Sequence, residues 1–414
     1  MSESAYHERL VTARIVANSG YAKGIPVWRE PGLAVVDRLV AVYLAELGAF
    51  SRPARVEHPF LTPAEGYQAV FGDYTNIYGG HVPQAGGAVA FRPDNLPASV
   101  AWLRERDLAG PAVAVGGLLR RLAGISIPLF RDRHIWPAIQ ANQLVRRADS
   151  VALLDAHQRA LERTFHAIGL PVVSVRTDAI SGYGRLCYLT VSCLPDGRAT
   201  VLSTAYLMAD RYRSRLGVAE DVLDVGFTGK AIALVAMHHA DSRGIVLPSA
   251  IAPVQVGLLT DGTDPAEAPW LVSLAAAGLR VRTADPGRTP YRRHRAERRF
   301  HAGGAPVVVG LSAEDGARIA SRVPLTRRAT TRLPTAAELG TALSDVDARL
   351  LAAARARFDR GLRKSGMALA VCVRCADTGR FPVFGWVVPA RPAACAGCGR
   401  AGHDALVSGA GRFY

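Results

Sequence analysis

Two short turns near the C-terminus constrain this chain more tightly than anything else in it: Cys372-Val-Arg-Cys375 and Cys395-Ala-Gly-Cys398. Each places two sulfurs on one tight loop. Two such loops at this separation match the spacing of a zinc ribbon, in which a tetrahedral ion takes four soft thiolates. Gly379, Gly397 and Gly399 supply the permissive backbone that such knuckles need. With sulfur at all four corners the site would be closed, and Zn2+ structural. Four buried or redox-active thiols are the competing reading. The other two cysteines, Cys187 and Cys193, alternate with apolar residues and are expected to be plain core.

The chain is too long for one ordinary core, at 414 residues, so two or three domains are expected. Hydrophobic content of 49% with 21% charge is that of a globular protein. No apolar run reaches the length of a membrane span. The opening MSESAYHERL lacks the apolar stretch of a secretory signal. A cytoplasmic location without membrane association is the expectation. The net charge is +15, and of the basic residues only Lys23, Lys230 and Lys364 are lysines. The arginine bias fits a GC-rich coding preference. The excess of positive charge points to a polyanion such as nucleic acid or a nucleotide.

Helical spacing of apolar residues predicts helices over 33–48, 149–168 and 230–240. A Pro-Asp-Gly turn at 195–197 between two alternating runs predicts a hairpin. From residue 254 strands and helices alternate: a strand VQVGLL, a helix over 265–277, a strand LRVRTAD, an arginine-laden helix to about 301 and a strand PVVVGL. That order predicts a separate small α/β domain. A long helix is expected over 335–363.

Residues 230–256 (KAIALVAMHHADSRGIVLPSAIAPVQV) resemble the third signature motif of the class II aminoacyl-tRNA synthetases, in its prolyl and threonyl branch. With that anchor, EHPFLTP is similar to motif 1, the dimer-interface strand. FRPDN resembles the loop that senses proline, and GLLRRLAGISIPLFRDRHIW resembles motif 2. LPDGRATVLSTAYLMADRY is similar to the strand pair beneath ATP. The ending on Tyr414 behind a zinc-like domain also fits the archaeal and eukaryotic type of prolyl-tRNA synthetase. The resemblance implies an α/β class II core of antiparallel sheet with flanking helices over 1–252. An anticodon-binding-like α/β domain over 253–345 and a zinc-binding C-terminal domain over 346–414 would follow. A homodimer is implied as well.

The same resemblance implies which residues work. Arg120 stands at the arginine that meets the α-phosphate and the substrate carboxylate. Lys230 stands where the family has an arginine on the γ-phosphate side; lysine keeps the charge and loses the planar fork. Arg133 and Asp210 join them on the ATP and Mg2+ side, and Arg92, Asp94, Gln140 and Tyr206 on the substrate side. Several family positions have changed. The adenine-holding glutamate of motif 2 is Leu122. The Thr-x-Glu after Arg92-Pro93 is Asp94-Asn95-Leu96, so the acid that reads the prolyl nitrogen is missing. The Phe-x-Glu-x-His run becomes Ala138, Gln140 and Asn142, and the family His and Gln of the ATP-bed strand become Tyr206 and Asp210. A leucine leaves an ammonium unpaired, at a cost of about 1–3 kcal/mol or more.

Three functions are compatible with these residues. The first is an ATP-dependent ligase that activates a small carboxylate other than proline, for transfer to tRNA or another acceptor. The second is a non-catalytic protein that binds tRNA or a partner synthetase. The third is a diverged working prolyl-tRNA synthetase in which Asp94 or Asp210 replaces the missing acid. The run Arg288, Arg292, Arg293, Arg295, Arg298 and Arg299 is either a phosphate-facing surface or a solvated helix face. His238 and His239, in an apolar helix, are expected to be core or helix-end residues.

Overall fold

A computed structural model describes residues 4–20, 25–72, 77–82, 87–106, 110–121, 127–130, 133–178, 182–260, 267–287, 289–312, 316–364 and 366–407. Its largest element is an eleven-stranded sheet. From one edge the strands run Ala368–Val371, Ala401–Val407, Val383–Val388, Val173–Arg176, Gly184–Cys193, Ala199–Met208, Asp221–Thr228, His134–Val145, Ala112–Leu119 and Ala54–Val56. Pro392–Ala394 pairs off this path with Ala401–Val407. Every pairing is antiparallel except the last, between Ala54–Val56 and Ala112–Leu119.

The hairpin at the centre forms where the Pro-Asp-Gly turn predicts it, between Gly184–Cys193 and Ala199–Met208. Gly197 takes a positive φ of 91°, and the Asp196 carboxylate accepts the Arg198 N–H at 3.0 Å, which closes the turn. Two long helices cover one face of the sheet. In Glu30–Gly48 the buried Val35, Val36, Leu39, Val40, Tyr43 and Leu47 recur at helical spacing. In Ser150–Ala167 the side chains of Leu154, Leu161 and Phe165 do the same, and both stripes enter the main core. The apolar helix Lys230–His238 has most of its length buried in that core, and His238 and His239 lie inside it on backbone carbonyls. Cys187 and Cys193 are buried, as expected.

A second, five-stranded sheet runs Val281–Ala284, Val256–Leu259, Val307–Ser312, Gly316–Ser321 and Thr326–Thr330. Its first three strands are parallel and are connected through the helices Glu267–Ala276 and Pro290–Ala302. The antiparallel pair that completes it has no clean apolar alternation in the sequence, being the short runs GARIAS and TRRAT, the second arginine-rich and mostly exposed. The helix Ala336–Lys364 ties the two sheets together. Leu339, Leu343, Val346 and Leu350 pack into the small core, while Phe358 and Leu362 pack with Val175, Leu189 and Leu406 beneath the large sheet. Buried Arg322 clamps the junction: it donates to both oxygens of Asp241 and to the carbonyls of Ile245 and His301. No helix among the described residues is long and apolar enough to cross a membrane.

The long helix crosses the central hairpin at a glycine–glycine contact. A Cβ on Gly361 would sit 2.7 Å from the Gly197 Cα, with backbone on both sides. Nothing lies within 4 Å of a Cβ on Gly340 in the same helix. Gly361→Ala should therefore lose about 1–3 kcal/mol to overpacking, whereas Gly340→Ala should gain about 0.5–1 kcal/mol from helix propensity. Denaturant midpoints of the two variants check the opposite signs.

Candidate active site

The register of the central strands builds a cavity of about 480 Å³ on the face opposite the two long helices. Strand Asp221–Thr228 pairs on one side with His134–Val145, Asp224 facing Asn142, Gly226 facing Gln140 and Thr228 facing Ala138. On its other side Asp224 faces Tyr206. Alternation sends Leu223 and Val225 into the core and Asp224, Gly226 and Thr228 to the cavity.

One hydrogen-bonded chain organises the floor. The Gln140 amide nitrogen donates to Asp94 Oδ1 and to Asp224 Oδ1, both at 2.7 Å, while its oxygen accepts the Asn95 N–H at 3.0 Å. These bonds fix which way the amide points. Asn142 donates to Asp224 Oδ1 at 3.0 Å and the Tyr183 hydroxyl to Oδ2 at 2.8 Å. Arg120 donates from Nη2 to Asp94 Oδ2 at 2.9 Å and from Nε to the Pro93 carbonyl at 2.8 Å. Its side chain stays 36% exposed. Burial first, and then the nearby Asp94 charge, raise the Asp224 carboxyl to about 6; the bonds from Gln140, Tyr183 and Asn142 oppose the rise.

Lys230 opens the helix Lys230–His238, whose dipole favours an anion at this end, and its own N–H meets the Thr228 hydroxyl at 3.3 Å. Its ammonium donates to the Val201 carbonyl at 3.1 Å and lies 5.5 Å from the centre of the Phe130 ring. Burial lowers it to about 8.

Of the residues singled out from sequence, Asp94, Arg120, Gln140, Tyr206 and Lys230 meet around this cavity. Arg92 does not line it. It is buried, donates to Glu57 at 2.8 Å and to the Gly117 carbonyl, and pins the loop that carries Asp94. Arg133 is exposed, and its carbonyl accepts the Arg120 N–H at 2.9 Å. Asp210 begins the helix Asp210–Leu216 outside the cavity lining, half exposed and 3.5 Å from Arg213. Leu96 is turned into a core with Tyr67 and Val100. Leu122 lies outside the described residues. Two site residues escaped the sequence reading, Asp224 and Tyr183. The available signal was an acid in the apolar run VLDVGF; Tyr183 gave none.

The four C-terminal cysteines converge: their Sγ atoms all lie within 4.8 Å of one another, and those of Cys372 and Cys398 are 3.6 Å apart. A zinc ion with bonds of about 2.3 Å to four sulfurs requires separations of about 3.8 Å, so the cluster fits a tetrahedral ion. Val371, Ala405 and Phe381 pack around it, and the strands that carry it join the edge of the large sheet where Trp386 pairs with Arg176.

A second, open cleft of about 620 Å³ lies on the small sheet beside the helix Pro290–Ala302, bordered by Arg293, Arg318 and Arg327. Arg293 spends its guanidinium on the carbonyls of Leu259, Thr260 and Leu311, whereas Arg292, Arg295, Arg298 and Arg299 are exposed. Arg288 lies outside the described residues.

No family model matches the chain. It is similar to proline–tRNA ligases of Methanocorpusculum labreanum (23% identical over 311 residues, 68% of this chain and 65% of that protein) and Methanoculleus marisnigri (23% over 305 residues, 67% and 63%). The chain thus aligns with less than two thirds of these relatives' length. In fold it matches the prolyl-tRNA synthetase of Cryptosporidium parvum in complex with halofuginone and AMPPNP. The TM-score is 0.77 and the identity 17%, over 99% of this chain and 97% of that one. It also matches the Giardia lamblia prolyl-tRNA synthetase in complex with prolyl-adenylate. Here the TM-score is 0.78 and the identity 15%, over 100% and 99% of the two chains. The large antiparallel-rich sheet with its flanking helices is therefore the class II synthetase fold. In sequence and in fold the chain is thus similar to prolyl-tRNA synthetases.

Two tests follow from this geometry. Asp224 holds a proton in the folded state between about pH 4 and 6 that it lacks when unfolded. Stability from this group therefore falls as pH rises through that window. Asp224→Asn should improve against the parent protein as pH goes from 4 to 7, read as the difference in Tm; a constant difference refutes it. For the cysteines, metal analysis should give zinc, and Cys395→Ser should release it and lower Tm. Hydrogen exchange in 366–407 should then rise before the central strands are affected.

Proposed function

We propose that the chain binds ATP in the central cavity and activates the carboxylate of an amino acid other than proline as an adenylate, for transfer to tRNA or another acceptor. The observation that carries this reading is that two cations from separate elements, Arg120 and Lys230, line one cavity together with Thr204 and Thr228. Adenylation joins a carboxylate oxygen to the α-phosphorus while pyrophosphate leaves. Charge builds on the phosphoryl oxygens and the leaving group, and fixed cations stabilise it. The planar fork of Arg120 suits the α-phosphate and the substrate carboxylate. Lys230, at a helix start, suits the outer phosphates. Mg2+ would balance the remaining phosphate charge. Arg133 belongs to the nucleotide side of this proposal. Asp210 stands apart from it, and the acids bordering the cavity are Asp94 and Asp224.

The departure from proline is supported by the loop after Arg92-Pro93, which brings Asp94 to the cavity while Leu96 turns into the core. A working prolyl-tRNA synthetase is favoured by the curated relatives themselves. A non-catalytic tRNA- or partner-binding role is favoured by the Arg120–Asp94 pair, which neutralises the arginine before any anion arrives. Contact with tRNA is supported by the exposed arginines of 292–299 and the net charge of +15. A homodimer is supported by the exposed Phe60, Leu61 and Phe91 on the segment resembling motif 1 and the strand beside it.

ATP–pyrophosphate exchange against proline, the other amino acids and simple carboxylic acids tests the reading. Exchange with a non-proline substrate, reduced about 100-fold or more in Arg120→Ala, is expected; exchange with proline alone supports the prolyl enzyme, and no ATP binding at millimolar concentration removes the ligase. Lys230 adds a pH signature. Its ammonium is protonated below about 8, so ATP affinity should fall as pH rises beyond that value. Lys230→Arg should keep the affinity level to pH 9, by calorimetry.

A further inference from the structure

Strand Asp221–Thr228 carries two buried acids, and the protein treats them differently. Asp221, 2% exposed, has Arg185 at 2.7 Å and Arg213 at 3.7 Å. Asp224, 5% exposed, receives three hydrogen bonds, all from the neutral groups of Gln140, Asn142 and Tyr183. No cation stands within ion-pair distance of it among the described residues. A buried carboxylate is ordinarily paired with a cation, because burial without one forfeits most of its hydration. Asp221 follows that rule and faces away from the cavity. Asp224 departs from it and borders the cavity.

The surroundings sharpen the contrast. Gln140 holds Asp94 and Asp224 on its two N–H groups, so a second carboxylate stands close by. The cation of Asp94 is Arg120, the group that the adenylation reading turns toward the phosphate and the substrate carboxylate. Once Arg120 makes those contacts, both acids face the cavity without full compensation. The rings of Tyr183 and Tyr206, edge to face with centres 4.8 Å apart, form an adjoining wall, electron-rich and suited to a cation.

We propose that Asp224 is the receptor for an ammonium group on the substrate, held between Asp224 and Asp94 against the Tyr183–Tyr206 wall, so that the acid activated here is an amine-bearing one. This rests on the adenylation reading for the fate of the carboxylate, but the recognition of the amine stands on Asp224 alone. It makes Asp224, and not the loop after Arg92-Pro93, the principal carboxylate that selects an amino acid over a simple acid. The Oδ2 atom has capacity beyond the Tyr183 bond, since an ionised carboxylate oxygen accepts more than one donor. Leaving an ammonium out would strand the charge, which is how the site would reject a des-amino analogue.

The test compares each of the standard amino acids, ornithine and β-alanine with its des-amino acid, by calorimetry on the full-length protein, with ATP measured in the same way. At least one amine should bind, and its des-amino partner should bind about 10- to 100-fold more weakly. Asp224→Asn should erase that preference, while Asp210→Asn, at an acid outside the cavity lining, should retain it. Equal binding of des-amino acids to the parent protein overturns the proposal without any variant, as does binding by no amine in the panel. An amine preference unchanged in a folded Asp224→Asn also overturns it. Amine binding without ATP binding would remove the adenylation reading and leave Asp224 its role; ATP binding without amine preference would do the reverse.

Discussion

The site depends on the register of one central strand. Asp221–Thr228 is hydrogen-bonded on both sides, to His134–Val145 and to Ala199–Met208. Its side chains alternate between a dry core and the cavity. A slip of one residue would send Asp224 and Thr228 into the apolar face that now takes Leu223 and Val225, and would bring those two to the cavity. Burial of that apolar face, by the helices Glu30–Gly48 and Ser150–Ala167, is what holds the register. The polar network of Gln140, Asn142 and Asp224 is thus a consequence of packing on the opposite face.

That dependence explains what could be read from the sequence. Helical spacing around Leu39 and Leu161 and the Pro-Asp-Gly turn are local signals, and the elements they predict are where they should be. Cys372 and Cys398 were legible because ligand spacing within each loop is local chemistry. Arg120, Lys230, Gln140, Tyr206 and Asp94 were reached through resemblance, and they do meet in one cavity. The pairing of Trp386 with Arg176, which joins the tail to the large sheet, spans about half of the chain and leaves no mark in either segment. Asp224 was hidden for a related reason. In VLDVGF it looks like one polar interruption of a core strand, and only the facing residues Asn142 and Tyr206 reveal which side it takes. Asp210 misled in the opposite way: the strand ends before it, so it starts a helix and turns to solvent.

Charge compensation distinguishes supporting groups from working ones. Arg92 is almost fully buried, yet its donors go to Glu57 and to the carbonyls of His58 and Gly117, leaving it the task of holding a loop. Arg322 likewise spends itself on Asp241 and three carbonyls at the junction between the sheets. Such saturated arginines make rigid joints. Arg120 differs in being exposed by about a third while held by a single carboxylate and one carbonyl.

The Arg120–Asp94 pair sets the terms on which any anion could enter. A phosphate or carboxylate arriving at Arg120 must compete with a carboxylate already at 2.9 Å. The competition is not lost in advance, because the pair is partly hydrated and such pairs contribute little, about 0–1 kcal/mol at a surface. What opposes the exchange is the charge left on Asp94, only one amide away from Asp224. A ligand that brings an anion for Arg120 and a cation for the two acids satisfies both at once, whereas a ligand with the anion alone leaves two adjacent carboxylates uncompensated. The same pair that weakens the site for a bare carboxylate therefore strengthens its choice of a zwitterion. Selectivity here would come from the charge pattern of the floor before it came from the shape of the walls.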